Sequence, residues 1–112
     1  MEFKIALIRG DGIGPEVVNG AVTVINKVAE KFGHKITYVD VDMGGNATDT
    51  YGVSYPAGTA EKCKACDAVL LGAVGGPKWG PDKPAEQRPE TALLAIRKDL
   101  GLFANLRHAT LR

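Results

Sequence analysis

The stretch FKIALIRGDGIGPEVVNGAVTVINKVAEKF, residues 3–32, decides how the chain folds. Phe3 to Ile8 is a nearly continuous apolar run broken only by Lys4, which suits a strand buried on both faces of a parallel sheet. Arg9 to Gly14 follow as a glycine-rich turn. Pro15 then stands at a first helical position, with Glu16 beside it to complement the helix dipole. Val17, Val18, Ala21, Val22, Val24, Ile25, Val28, Ala29 and Phe32 recur at helical spacing, so this helix is predicted to lie flat on a sheet and to stop at Gly33.

The pattern continues outward from this unit. Lys35 to Val41 reads as a second strand, with Ile36, Tyr38 and Val41 as packing candidates. Residues 42–57 hold three glycines and a proline and read as a loop with room for one short helical turn. Thr59 to Cys66 suits a short helix, and Ala68 to Val74 is another uninterrupted apolar strand. Residues 75–89 are rich in Gly, Pro and charge and form a long loop, a kind that is often functional. Glu90 to Leu100 reads as a helix closed by Gly101, and Leu102 to Thr110 alternates like a fourth strand. Strands alternating with helices predict an α/β fold with a largely parallel sheet flanked by helices. The 112 residues read as one partial domain, 1–112. A sheet ending on an uncovered strand suggests the opening of a longer polypeptide.

Composition narrows the function. Fourteen Lys and Arg against thirteen Asp and Glu leave a net charge of +1, which argues against a partner held by a basic field, nucleic acid or anionic membrane. No apolar run is long enough for a membrane helix, and the N-terminus lacks the parts of a signal peptide, so a cytoplasmic protein is expected. Fourteen glycines stand well above the average of about 7%, and they cluster at 10–14, 44–45 and 72–80 as backbone-specific loops. Cys63 and Cys66 form a C-x-x-C, but His34 and His108 offer no metal spacing around it, and a half-buried helix explains the pair.

A glycine-rich turn between strand and helix is a common seat for nucleotide phosphates. Here the spacing is G-x-G-x-G-P, one residue short of the Rossmann fingerprint, although Asp40 or Asp42 is placed to meet a ribose. A tight turn needing positive φ angles explains the same glycines. Further on, Glu90, Leu93, Leu94 and Arg97 share one helical face, and Arg107 follows ten residues after Arg97. Two guanidinium forks suit carboxylates. Equally, Arg97 can answer the helix dipole, the leucines can be core and Arg107 surface.

Three motifs in order, GDGIGPE (10–16), VLLGAVGGPKW (69–79) and RPETALLAIRKDLGLFANLR (88–107), resemble one family. It is the β-decarboxylating hydroxyacid dehydrogenases, in particular the N-terminal part of the isopropylmalate dehydrogenase branch, and the resemblance spans essentially the whole chain. It implies an isopropylmalate dehydrogenase-type fold that is not a true Rossmann fold. It further implies NAD-dependent oxidation of a 2-hydroxy acid and loss of CO2: 3-isopropylmalate to 4-methyl-2-oxopentanoate, a step of leucine biosynthesis. By resemblance, Arg97 and Arg107 bind substrate carboxylates, and Leu93, with Leu94, meets the isopropyl group. Ile13 lies toward the adenine end of the cofactor, Gly75, Gly76, Pro77, Lys78 and Trp79 form the cofactor loop, and Glu90 approaches the nicotinamide ribose. The side chain of Trp79 reads better as a packing anchor for its own loop than as a cover.

The resemblance places the catalytic acid and base, and the ligands of Mg2+ or Mn2+, later in the family's chain, so no catalytic or metal residue is expected within 1–112. It also implies a homodimer. Two residues depart from the family pattern: Gly80, where an acid is frequent, and His108, where proline is usual. The rival readings are a sister dehydrogenase of tartrate, malate or homoisocitrate, and a stand-alone nucleotide-binding module without catalysis.

Overall fold

A computed structural model describes residues 1–80 and 82–111. The elements are β1 (Glu2–Gly10), α1 (Gly14–Phe32), β2 (Lys35–Asp40), α2 (Gly45–Tyr51), α3 (Thr59–Lys64), β3 (Ala68–Ala73) and α4 (Pro89–Asp99), with a 3-10 turn at Ala85–Gln87. Local signals account for their ends. Pro15 sits in the first turn of α1, and Gly33 closes that helix in the left-handed region at φ 71°, its N–H reaching Ala29 and Glu30 carbonyls. Pro89 opens α4 in the same way.

Among the described residues the three strands form one parallel sheet in the order β2-β1-β3. The central strand is the apolar run that opens the chain, and Ala6, Leu7 and Ile8 on it are buried. Alternation divides them. Ala6 and Ile8 join Val41, Met43, Cys63, Ala92 and Ile96 in a core beneath α3 and α4. α1 covers the opposite face, where Val18 packs so close to Gly72 that a β-carbon there would lie 2.8 Å from Val18 Cγ2. Cys63 is thus a core residue, and burial pushes its thiol pKa up.

This order is not that of a Rossmann half, in which strand 3 lies beyond strand 2. Here the chain steps from β1 to β2 on one side and returns to β3 on the other. The switch point therefore falls between the carboxyl ends of β1 and β3, the place where open α/β sheets take ligands, and here the two ends are in contact through the Asp11 N–H and the Ala73 carbonyl at 2.6 Å.

Two expectations are corrected. Leu102 to Thr110 forms no strand. No strand lies beside it among the described residues to share backbone hydrogen bonds, and Phe103, Leu106 and Leu111 are 100%, 92% and 100% exposed. Nor does the whole apolar set of α1 reach the sheet. Val17, Val24, Val28 and Phe32 remain exposed, because the sheet covers one stripe and the helix is apolar around more of its circumference. The short turn allowed within 42–57 is realised as α2.

Candidate functional site

The switch point is organised by a residue that the sequence reading passed over. Asp11, at the end of β1, is 4% exposed. Its Oδ2 accepts the backbone N–H of Gly45 at 2.7 Å and of Gly75 at 2.9 Å, and its Oδ1 accepts that of Asn46 at 2.6 Å. Its own N–H donates to the Ala73 carbonyl at 2.6 Å. One carboxylate thus satisfies the free donors at the start of α2 and ties them to the loop after β3. The available signal was an aspartate between glycines at a strand end, a residue type that readily accepts backbone N–H groups.

The loop after β3 is pinned along its length. Lys78 Nζ meets Asp49 Oδ2 at 2.9 Å, and Trp79 Nε1 donates to Asp49 Oδ1 at 3.3 Å. The Trp79 indole lies over Gly45, where a β-carbon would run into the ring, and beside Gly76. Thr48 Oγ1 donates to the Gln87 carbonyl at 2.8 Å, and Ser54 Oγ to that of Arg88 at 2.7 Å. Trp79 is therefore an anchor for its loop, as preferred from sequence. The bond to Lys78 holds the Asp49 carboxyl below its ordinary pKa of 3.8. A lowered folded-state value means that the clasp contributes fully above the unfolded pKa and is lost as pH falls through the folded one. Trp79 fluorescence is accordingly expected to stay constant from neutral pH down to about 4 and to change below it. Asp49→Asn is expected to abolish that acid transition; an unchanged transition would assign it to another group.

Pinned in this way, the loop walls a cleft of about 590 Å3 whose other side is α4. Gly76, Pro77, Trp79, Gly80, Glu90 and Leu94 line it. A β-carbon on Gly75 would lie 3.1 Å from Glu90 Oε1, so that carboxylate stands directly over the loop backbone. Leu94, one turn beyond Glu90, is 64% exposed, while Leu93 is half-buried. Arg97, in the last turn of α4, borders a separate hollow of about 180 Å3 with Leu102, Phe103, Ala104 and Asn105. Arg107 lies in the exposed extended segment. Neither arginine has an ion-pair partner among the described residues, and no contact joins the two. Ile13 is exposed at the start of α1, in the turn between Asp11 and Gly14.

The structure thus brings Glu90, Leu94 and loop residues 76–80 together and leaves Arg97, Arg107 and Ile13 apart from them. Asp40 and Asp42, the candidates for a ribose in a Rossmann site, are engaged elsewhere. Asp40 pairs with Arg9 at 3.0 Å, and Asp42 accepts the Tyr51 hydroxyl at 2.9 Å. Gly80 suits its surroundings, since a β-carbon there would lie 3.0 Å from Asp82 Oδ1 and an acid would meet a like charge. His108 Nε2 lies 2.9 Å from Thr110 Oγ1. Among the described residues no group of three or more His, Cys, Asp or Glu converges as metal ligands. No helix among them is long and apolar enough to cross a membrane.

A family model described as isocitrate/isopropylmalate dehydrogenase matches residues 4–112. The chain belongs to that family. It is 55% identical over 108 residues to the 3-isopropylmalate dehydrogenase of Clostridium pasteurianum, covering 96% of this chain and 30% of that protein. It is 56% identical over 111 residues to that of Oleidesulfovibrio alaskensis, covering 99% of this chain and 31% of that one. The chain therefore spans less than a third of the length of these curated relatives. Among solved structures, a β-decarboxylating dehydrogenase from Thermococcus kodakarensis matches with a TM-score of 0.62 at 31% identity, over 90% of this chain and 27% of that one. This member of the dehydrogenase family accordingly has the parallel α/β architecture of a β-decarboxylating enzyme, as its sequence motifs implied.

Proposed function

We propose that these 112 residues are the N-terminal portion of an NAD-dependent 3-isopropylmalate dehydrogenase, acting in leucine biosynthesis in the cytoplasm as a homodimer. The observation that carries this reading is the face of α4. Glu90 and Leu94 face the loop across one cleft, and Arg97 follows at i+7 from Glu90, in a chain whose relatives carry that enzyme's name.

Each residue has a role in this reading. Arg97 and Arg107 grip the two carboxylates of the malate frame, for which a planar fork of donors is suited. Leu94, with Leu93 behind it, receives the isopropyl arm. An isocitrate-type substrate would bring a third carboxylate to the same place, and desolvating it against leucine is costly. NAD fits the cleft. Glu90 offers carboxylate oxygens to ribose hydroxyls, and the glycine backbone at 75–76 permits close approach of a flat ligand. Pro77, Lys78 and Trp79 complete that wall, and Ile13 lies toward the adenine end. Bound NAD+ would supply the hydride acceptor for the secondary alcohol carbon. In this reading the ligands of Mg2+ or Mn2+ and the proton-transferring groups come from chain beyond these 112 residues, as the family resemblance implies.

The test begins with the intact mass of the native gene product, expected at the relatives' length. NAD+ reduction is then measured with 3-isopropylmalate, tartrate, malate and homoisocitrate. A clear preference for 3-isopropylmalate supports the reading, and a preference for another 2-hydroxy acid transfers it to a sister enzyme. A native product of only 112 residues that binds nucleotide without turnover replaces it with a binding module.

A further inference from the structure

Building on the dehydrogenase reading, we propose that Asp11 is a positioning residue for cofactor binding. It holds Gly75, and through it the loop wall of the cleft, in register with Glu90. A carboxylate that merely capped α2 would need only the N–H groups of Gly45 and Asn46. The third bond, to Gly75, reaches a different segment that lies 64 positions away in sequence. Oδ2 accepts from both Gly45 and Gly75, so neither segment can shift without disturbing the other.

The consequence at the cleft is direct. Gly75 has φ +107° and lies under the Glu90 carboxylate, with only 3.1 Å between Oε1 and the position of a β-carbon. Displacing the Gly75 backbone displaces the surface on which Glu90 rests. The same displacement would reach the far end of the loop wall, because Trp79 packs on Gly45 and both Lys78 and Trp79 are held by Asp49. α2 acts as a splint between the glycine turn and the loop, and Asp11 is its fastening. The GDGIGPE turn thereby serves the cofactor through a side chain that touches no cofactor.

Alanine removes all three bonds, whereas asparagine can keep its amide oxygen on Gly45 and Gly75 and lose only the bond from Asn46. In the full-length dehydrogenase, Asp11→Ala is expected to raise the KM for NAD+ by about 10-fold or more while kcat changes little, because small misplacements of a binding wall weaken ligand capture. Val18→Ala removes packing on the opposite face of the sheet and serves as the control for general loosening. It is expected to lower thermal stability with KM unchanged. An unchanged KM in Asp11→Ala, or an equal rise in Val18→Ala, overturns the positioning role.

If the alanine variant does not fold, hydrogen exchange in the wild type decides. Adding NAD+ is expected to slow exchange in peptides covering both 43–50 and 74–79, since one carboxylate ties them. Slowing confined to 74–79, or to neither, overturns the proposal. A wild type that reduces no NAD+ with any 2-hydroxy acid overturns the dehydrogenase reading itself and this role with it, whereas an active wild type with an unaffected variant overturns this role alone.

Discussion

Replacing Gly10 by alanine is expected to destabilise the full-length protein by about 4 kcal/mol or more, a large fraction of the stability of an ordinary domain. Two costs combine. Gly10 has φ +78°, a conformation that costs an L-residue about 1–2 kcal/mol. In addition, a β-carbon there would run into the carbonyl of Ala73, the residue paired with Gly10 at the end of the β1–β3 ladder. Backbone cannot swing aside as a side chain can, so the strands must part, and the bond from Asp11 N–H to that same carbonyl is disrupted. Gly12, two residues on, is the internal comparison. Its φ is +57°, but nothing lies within 4 Å of a β-carbon. Gly12→Ala should therefore cost only the backbone strain, about 1–2 kcal/mol. The check is the urea midpoint of both variants against wild type. Equal losses would show that strain alone governs this turn and that the close approach to Ala73 carries no energy.

That comparison separates what a sequence displays from what it conceals. The signals at residues 2–33 are local: an apolar run, a proline at the first helical turn, a glycine at the helix end. Each acts within a few residues, and each is realised where it was read. The strand expected at 102–110 rested on alternation, which specifies a face but not a partner, and no strand lies beside it among the described residues. The valines of α1 misled in the opposite way. Their spacing identified a helix correctly but did not say how wide a stripe the sheet would cover, and Val24 and Phe32 face outward. Asp11 lay beyond periodicity altogether. Its acceptors look like any turn aspartate's until the fold brings Gly45 and Gly75 to it from 34 and 64 positions away. The family motifs pointed to the loop and to one helix face, and the structure sets Glu90 and Leu94 across a cleft from that loop. They carried no trace of Asp49, Thr48 and Ser54, which hold that loop through contacts spread across α2 and the segment after it.

Replacing Arg97 by alanine is expected to lower kcat/KM for 3-isopropylmalate by about 100-fold to 1,000-fold in the full-length enzyme, the range for truncating one partner of a charge-assisted carboxylate pair. The argument starts from what Arg97 does not do. It has no ion-pair partner among the described residues, and it sits exposed in the last turn of α4 beside an open hollow. A guanidinium used structurally would be expected to engage a carboxylate or a carbonyl; this one is left available. Its helical face also carries Leu94, a large apolar side chain left 64% exposed beside the carboxylate of Glu90. Under the proposed function, a guanidinium, an apolar side chain and a carboxylate in line along one helix suit a hydroxy acid with an apolar arm lying next to a ribose. Arg97→Lys keeps the charge and loses the fork, so it should fall between wild type and alanine. Leu94→Asn should act differently, lowering kcat/KM for 3-isopropylmalate by about 10-fold while leaving that for malate nearly unchanged, since only the first substrate places an alkyl group there. If Arg97→Ala turns over 3-isopropylmalate within about 3-fold of wild type, Arg97 serves the helix dipole alone and the carboxylate grip belongs to other residues. If Leu94→Asn affects both substrates equally, the leucine supports the cleft wall and does not choose the substrate.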